Sequence, residues 1–329
     1  MRCISKSFRR RCALLTACLL LALSAAGCSG GAPEDAFFAD RPGLGVQAEA
    51  DDADFSYFAE DLCVADEDVE EIEADTSEAL AACFFNLDSK EVLYAKNIHE
   101  RMYPASTTKI MTALVALKHG DMDAQATVSR EAVTFTESGV STAKLKEGDV
   151  LTVRQLLYAL LVASANDAAN VIAEQVAGSQ EAFVQMMNEE AASIGATNTH
   201  FVNPNGLHDE DHYTTAYDLY LMFQEAMEYD EFLQILQAKE YEASYLASDG
   251  TPVTAVWSTT NQFTKGDVTV PEGVSALGGK TGTTTAAMSC LVQLFSDAQG
   301  ERYVAIILGC RERAILYAEM QSFLSNLNN

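Results

Sequence analysis

Four short segments carry side chains whose types and spacing could do chemistry: Ser106-Thr107-Thr108-Lys109, Ser141-Thr142-Ala143-Lys144, Ser164-Ala165-Asn166 and Lys280-Thr281-Gly282-Thr283. In Ser-x-x-Lys the lysine follows the serine by one helical turn on the same face, so an amine can reach the hydroxyl. A serine hydroxyl alone is a poor nucleophile. An adjacent lysine can act as its base once desolvation or a second cation lowers the amine's pKa. A serine that opens a helix also has unpaired backbone N–H groups and the positive end of the dipole where an oxyanion would develop.

Two fixed residues recur by chance, and context separates the two copies. Pro104-Ala105-Ser106 leads a run in which Ile110, Ala113, Leu114 and Leu117 recur at helical spacing as far as His119-Gly120, where the glycine predicts a stop. Ser141 leads only into Leu145-Lys146-Glu147-Gly148-Asp149, which ends any helix at once, so this copy predicts a surface loop. Ser164-Ala165-Asn166 falls between the helical runs Val153–Leu161 and Asp167–Val176, where a bend would present a hydroxyl and an amide together. Lys280-Thr281-Gly282-Thr283 lies just before the strand-like run Ser289–Phe295, and its glycine allows close approach to the backbone. The order, with 58 residues from Ser106 to Ser164 and 116 from Ser164 to Lys280, is that of the Ser-x-x-Lys, Ser-x-Asn, Lys-Thr-Gly set of penicillin-binding proteins and β-lactamases.

With their flanks the motifs become more specific. Pro104–Lys109, Ser164–Ala169, Phe201-Val202-Asn203-Pro204-Asn205-Gly206-Leu207, His212-Tyr213-Thr214-Thr215-Ala216-Tyr217-Asp218-Leu219 and Gly279–Thr283 resemble the low-molecular-mass D-alanyl-D-alanine carboxypeptidases, from about Ala81 to the C-terminus. The resemblance implies an α/β (α+β) fold of the β-lactamase/transpeptidase-like kind, an antiparallel sheet flanked by helices with an inserted, mostly helical lobe. It implies that Ser106 attacks the D-Ala-D-Ala carbonyl with Lys109 as base, that Ser164 relays a proton to the leaving D-alanine and that Asn166 holds the substrate amide. Lys280 and Thr283 would bind the terminal carboxylate within the substrate strip Lys280-Thr281-Gly282-Thr283. The N–H groups of Ser106 and Thr283 would form the oxyanion hole, and water would release the acyl group. The partners implied are the peptidoglycan pentapeptide and β-lactams as covalent inhibitors, with no cofactor and no metal. Many members continue into a second β-rich domain and a C-terminal anchor, whereas this chain stops at Asn329.

Rival chemistries fail on spacing. A class A β-lactamase needs a further glutamate in a Glu-x-x-Leu-Asn motif, and the corresponding stretch, Thr199–Pro204, has none; Glu189 and Glu190 read as a solvated helix face. A phosphate loop ending at Gly279-Lys280-Thr281 would need glycine where Val274 stands. His208 and His212 flank Asp209-Glu210-Asp211 but lack the glutamate and helix of a zinc-protease pair, and predict a surface loop. No Gly-x-Ser-x-Gly elbow is present.

The elements that must position these groups follow from periodicity. Ala81–Leu87 and Glu91–Ala95 predict a hairpin turning at Asp88-Ser89-Lys90; Ser289–Phe295 and Tyr303–Gly309 predict a second. Helical patterns run over Glu181–Ile194, Ala216–Met227 and Arg313–Leu327. Strands at both ends with helices between them predict one catalytic domain over 79–329, its sheet part at about 79–120 and 262–329 and a helical lobe at about 121–261.

Ahead of that domain, Arg2, Lys6, Arg9, Arg10 and Arg11 precede an apolar run of about 14 residues, Ala13–Ala26, well short of the ~20 that span a bilayer. Residues 1–27 therefore predict a signal peptide and an extracytoplasmic protein. The small residues before Cys28 resemble a lipoprotein processing site, and a lipid on Cys28 would hold the enzyme at the membrane, in place of a C-terminal anchor. Most of the formal charge of −27 comes from the acidic stretch Glu34–Glu78, so residues 28–78 predict a disordered, solvated tether. Such acidity with no basic stripe argues against nucleic acid. Cys63, Cys83, Cys290 and Cys310 form no metal-type pair; the last three lie in apolar strand-like runs and predict buried thiols.

Overall fold

Runs of consecutive apolar residues mark strands buried on both faces, and they build the centre of the main sheet. The computed structural model describes residues 59–327; the leader and Cys28 lie outside them. In chain order the elements are β1 (Val69–Glu70), β2 (Ala81–Asn86) and β3 (Glu91–Lys96), then a 3₁₀ turn at Ala105–Thr108 leading into α1 (Lys109–His119). Next come β4 (Gln125–Thr127), β5 (Val150–Thr152), α2 (Val153–Val162), α3 (Asn166–Ala177), α4 (Gln180–Ser193), α5 (Ala216–Ala226) and α6 (Asp230–Leu236). The chain continues through β6 (Glu240–Leu246), β7 (Pro252–Ser258), α7 (Gln262–Lys265), β8 (Ser275–Thr284), β9 (Met288–Ser296), β10 (Arg302–Cys310) and α8 (Arg313–Leu324).

The main sheet is antiparallel, in the order β1-β3-β2-β10-β9-β8. Along β2 the residues alternate between two cores: Cys83 and Phe85 pack with the helices of the middle region, while Ala82 and Phe84 pack with α8. Phe84 stacks on Phe323 of α8 at 5.2 Å and on Tyr303 of β10 at 5.5 Å. The consequence for function is at the other end of the order. β8 is an edge strand, and its unpaired edge lies along the turn that carries Ser106.

Both predicted hairpins and all the helices proposed from periodicity are present, with ends shifted by a few residues. Helix starts follow local capping: Thr152 and Gln155 form a reciprocal capping box on α2, and Ser179 and Thr215 cap α4 and α5. The middle region holds a component that periodicity did not show, a second four-stranded sheet in the order β4-β5-β6-β7. In β6 the residues Ala243 and Tyr245 face inward while Glu240, Glu242 and Ser244 face solvent, and Tyr241 stacks on Tyr158 of α2 at 3.8 Å. The lobe is thus mostly helical and carries this small sheet in addition.

The acidic segment also differs from the solvated tether predicted to residue 78. From Ala59 onward the chain packs on the body. Cys63 is fully buried and its N–H donates to Tyr220 Oη at 2.8 Å. β1 adds to the edge of β3, Thr76 Oγ1 meets Tyr94 Oη at 2.7 Å, and Lys96 Nζ donates to the carbonyls of Thr76 and Ala79 at 2.6 and 2.8 Å. Charge alone does not keep a segment in solvent when apolar residues such as Cys63 and Ala65 punctuate it and the backbone finds a sheet edge.

Cys63, Cys83, Cys290 and Cys310 are all free and buried. Burial pushes the Cys290 thiol up to about 12 and that of Cys310 to about 11, so both stay protonated and act as small apolar side chains. Among the described residues no helix is long and apolar enough to cross a membrane.

Candidate active site

Ser106 does not begin a regular α-helix. It lies in the 3₁₀ turn that precedes α1, directly after Ala105, whose φ of 48° is left-handed. An alanine in that region costs roughly 1 kcal/mol and persists only where its surroundings hold it. Two threonine hydroxyls do part of the holding: Thr107 Oγ1 donates to the Pro104 carbonyl at 2.7 Å and Thr108 Oγ1 to the Ala105 carbonyl at 2.8 Å.

Lys109, the first residue of α1, is fully buried. Its Nζ donates to Ser106 Oγ at 3.0 Å, to Asn166 Oδ1 at 2.6 Å and to the Asn205 carbonyl. These are all the protons an ammonium has. Burial holds the amine well below its ordinary value of 10.5, and the charge of Lys280 lowers it further, against an opposing contribution from Asp167. A neutral amine has two protons and a lone pair. With the protons retained by Asn166 and Asn205, the lone pair faces Ser106 Oγ.

The other two motifs converge on the same place. Ser164 sits at the junction of α2 and α3 with φ 58°, a second left-handed non-glycine residue. Asn166 opens α3, and its backbone N–H donates to the Ser141 carbonyl at 2.9 Å. Lys280 precedes the strand at Ser289, as expected, and lies inside a strand of its own, β8, which the sequence reading did not propose. It is fully buried, and its Nζ donates to Ser164 Oγ at 2.8 Å and to the Thr281 carbonyl at 2.7 Å. Burial alone pulls it down to about 7. The Thr281 hydroxyl pairs with that of Thr260 at 2.6 Å, and Thr283 Oγ1 donates to the Gly282 carbonyl at 2.7 Å. Gly282 fixes the contact between strand and turn. A Cβ there would stand 2.9 Å from the Pro104 carbonyl oxygen and 3.0 Å from Ser106 N, closer than side chains tolerate. Ser106, Lys109, Asn166, Ser164 and Lys280 are thus brought together in two hydrogen-bonded groups, with Thr281, Gly282 and Thr283 along the edge beside them.

Several groups that support this arrangement carry no role in the sequence reading. Asn203 Oδ1 accepts from the Asn205 and Gly206 N–H groups at 3.3 and 2.7 Å, which aims the Asn205 carbonyl at Lys109. Asn205 Nδ2 donates to Asn170 Oδ1 at 3.0 Å. Gly206, at φ +83°, lies so close to the Ala105 carbonyl that no Cβ would fit. The run Asn203-Pro204-Asn205-Gly206 is dense in turn formers, which signals a loop but not its target.

His212, expected on a surface loop, is 2% exposed. Its Nε2 lies 2.8 Å from Thr108 Oγ1, its Nδ1 accepts the Val202 N–H at 3.1 Å, and burial pulls it down to about 4. His208 instead packs its ring against Tyr103 at 4.7 Å. Glu190 also departs from the predicted solvated face: it is 7% exposed and meets Lys118 Nζ at 2.8 Å. A helix face covered by a neighbouring helix cannot be told from a free one by charge alone.

The match to known proteins covers this whole cluster. Residues 68–312 match the D-alanyl-D-alanine carboxypeptidase family. The chain belongs to that family. The D-alanyl-D-alanine carboxypeptidase DacF of Bacillus subtilis is 35% identical over 255 residues, 75% of this chain and 62% of the relative, so the chain spans less than two thirds of that relative's length. The D-alanyl-D-alanine carboxypeptidase of Streptomyces sp. strain K15 is 34% identical over 239 residues, 70% of this chain and 79% of the relative. The crystal structure of the Streptomyces K15 DD-transpeptidase superposes with a TM-score of 0.71 at 28% identity, covering 77% of this chain and 98% of that one. The family match begins at Asp68, within the acidic segment that packs on the body, and takes in every motif that forms the cluster.

Proposed function

We propose that this family member is a serine-type D-alanyl-D-alanine carboxypeptidase that removes the terminal D-alanine of peptidoglycan stem peptides through an acyl-enzyme on Ser106. The observation that carries the reading is Lys109: a fully buried amine 3.0 Å from Ser106 Oγ, its other donors taken by Asn166 and Asn205 and its pKa lowered. That is the condition under which lysine works as a general base near neutral pH.

In this reading Lys109 takes the Ser106 proton as Oγ attacks the carbonyl of the penultimate D-alanine. The oxyanion faces the N–H groups of Ser106 and Thr283, which the close contact at Gly282 holds side by side. Collapse breaks the peptide bond, and the proton that Lys109 took passes through the Ser164 hydroxyl to the leaving amine, which returns Lys109 to its neutral form, while Lys280 keeps its own proton and donates to Ser164 Oγ. Lys280, with the Thr281 and Thr283 hydroxyls turned from their present partners, binds the terminal carboxylate. Asn166 offers its amide N–H to the substrate while its Oδ1 stays on Lys109. Water activated by Lys109 then hydrolyses the ester and restores Ser106. A β-lactam would acylate the same serine and leave slowly.

The decisive experiment labels the protein with a fluorescent penicillin and measures D-alanine release from a peptide ending in D-Ala-D-Ala. Label and release are both expected and both lost in Ser106→Ala. Label without release would replace this reading with that of a penicillin-sensing module, and fast nitrocefin turnover with that of a β-lactamase.

The placement in the cell belongs to the same proposal. The signal-like leader supports export, and the residues around Cys28 support lipidation. With the chain packed from Ala59, the linker shortens to about 30 residues, at most ~100 Å when extended, between a Cys28 lipid and the catalytic body. Fatty-acid labelling that is equal in Cys28→Ala would remove the lipid from this picture.

A further inference from the structure

We propose that His212 is a positioning residue for Ser106, acting through Thr108 Oγ1. The inference deepens the proposed function and rests on Ser106 being the nucleophile. Because His212 Nδ1 accepts the Val202 N–H at 3.1 Å, the ring proton of the neutral imidazole sits on Nε2. Nε2–H then donates to Thr108 Oγ1 at 2.8 Å, and the threonine's own proton goes to the Ala105 carbonyl at 2.8 Å. One chain of donors therefore runs from the Val202 backbone, through an imidazole and a hydroxyl, to the peptide group just before the nucleophile.

That peptide is the one that needs holding. Ala105 is left-handed at φ 48°, and relaxing it to the ordinary helical region would rotate the Ser106 N–H and side chain away from Lys109 and Gly282. Beside the Thr108 hydroxyl lies Gly206, where a Cβ would overlap the Ala105 carbonyl and stand 2.9 Å from Thr108 Oγ1. The hydroxyl–imidazole chain thus supplies the directional restraint, and the glycine supplies the room. His212 bonds to Thr108 and Val202 and to neither Ser106 nor Lys109, so it can act only by holding. Burial keeps the ring uncharged through the neutral range, so the direction of every bond in the chain is constant there.

The test combines acylation kinetics with a spectroscopic readout on the full chain. His212→Ala is expected to lower the second-order rate of penicillin acylation by about a hundredfold, the cost of a misplaced nucleophile. Thr108→Val, which keeps shape and loses the hydroxyl, should fall by a similar factor, and the double variant should fall no further than the worse single one, since both cut the same chain. His212→Gln, whose amide supplies a donor to Thr108, should recover to within about threefold of wild type. With a D-Ala-D-Ala peptide the loss should appear in kcat, with KM within about twofold. Independently of catalysis, the ring ¹⁵N shifts of His212 in Ser106→Ala should report an Nε2-protonated neutral ring at pH 7. Additive losses, acylation retained while only the melting temperature drops, or an Nδ1-protonated ring would each overturn the proposal. A wild type that takes up no penicillin would sink the parent reading instead, and the tautomer would still decide whether this chain exists.

Discussion

The chain contains the same four-residue pattern twice, and the two copies have opposite fates. At Ser106-Thr107-Thr108-Lys109 a 3₁₀ turn passes into α1, which places Lys109 Nζ on Ser106 Oγ in a buried site. At Ser141-Thr142-Ala143-Lys144 the backbone is extended and irregular, Lys144 is left-handed at φ 62°, and both ends of the motif are exposed. The second copy is not idle. Its Ser141 carbonyl receives the Asn166 N–H, and Asp167 accepts the Ala143 and Leu145 N–H groups at 2.8 and 3.1 Å, so the loop is clamped to the start of α3 beside the site. Residue types name a possible chemistry, but only a helical turn brings serine and lysine together and only burial changes the lysine's pKa.

The largest expected effect tests that burial. Lys109→Met keeps much of the side chain's volume and removes the amine, and should slow acylation by about 10³-fold, within the range for losing a general base. Acylation within tenfold of wild type would show that the hydroxyl is activated by another group. Next in size is Gly282→Ala. Its Cβ would press on the Pro104 carbonyl and the Ser106 N–H, forcing β8 off the serine turn, and peptide turnover should drop about ten- to a hundredfold, with a loss of about 1–3 kcal/mol in stability. Unchanged turnover would mean that the edge of β8 is not part of the site.

A third comparison is between His212 and the exposed histidines. With a folded-state pKa of about 4 against an ordinary value of 6.5, His212 destabilises the fold on acidification. The unfolded chain binds the extra proton first, so the stability is complete above about pH 6.5 and is lost as pH falls toward 4, by up to about 3 kcal/mol. Burial raises the Asp167, Asp218 and Glu319 carboxyls, which has the opposite sign in acid. Denaturant melts of wild type and His212→Gln isolate the histidine: the variant should lose less stability between pH 7 and pH 5. Equal slopes would mean that the ring is not held neutral. The smallest effect belongs to the decoy. Ser141→Ala with Lys144→Ala should leave acylation within about twofold and stability within about 1 kcal/mol, because neither side chain bonds to Ser106, Lys109, Ser164, Asn166 or Lys280, and the one bond lost is that of Ser141 Oγ to the Ala163 carbonyl at 2.9 Å. A large loss there would erase the distinction between the two copies.

Much of the architecture is legible in the sequence. β2, β9 and β10 are buried on both faces and are apolar runs in the sequence, that of β9 broken by Gln293, and α1 to α5 each show an apolar stripe. The small second sheet was not legible. β4 and β5 are three residues each, too short to show a period, and β6 carries alternate charges outward with Ala243 as a modest inward signal. The acidic segment misled for a related reason. Composition reports what water would favour, whereas the segment from Ala59 to Glu78 is held by the edge of β3 and by Lys96, which lies outside it and donates to the carbonyls of Thr76 and Ala79.

The sequence by itself determined which side chains could do chemistry and the order in which they come, because Ser-x-x-Lys, Ser-x-Asn and Lys-Thr-Gly are local patterns whose spacing within each motif is set by one turn or one strand. Helical context in the sequence already favoured the Ser106 copy over the Ser141 copy; tertiary structure decided how the groups around Ser106 are assembled. The lowered pKa of Lys109 comes from burial and from Lys280, 171 residues away, the left-handed Ala105 is held by Thr108 and Gly206, and His212 became a buried partner of Thr108 rather than a loop residue. Desolvation, close approach and hydrogen bonding across the fold are properties of neighbours in space, and no window along the chain contains them.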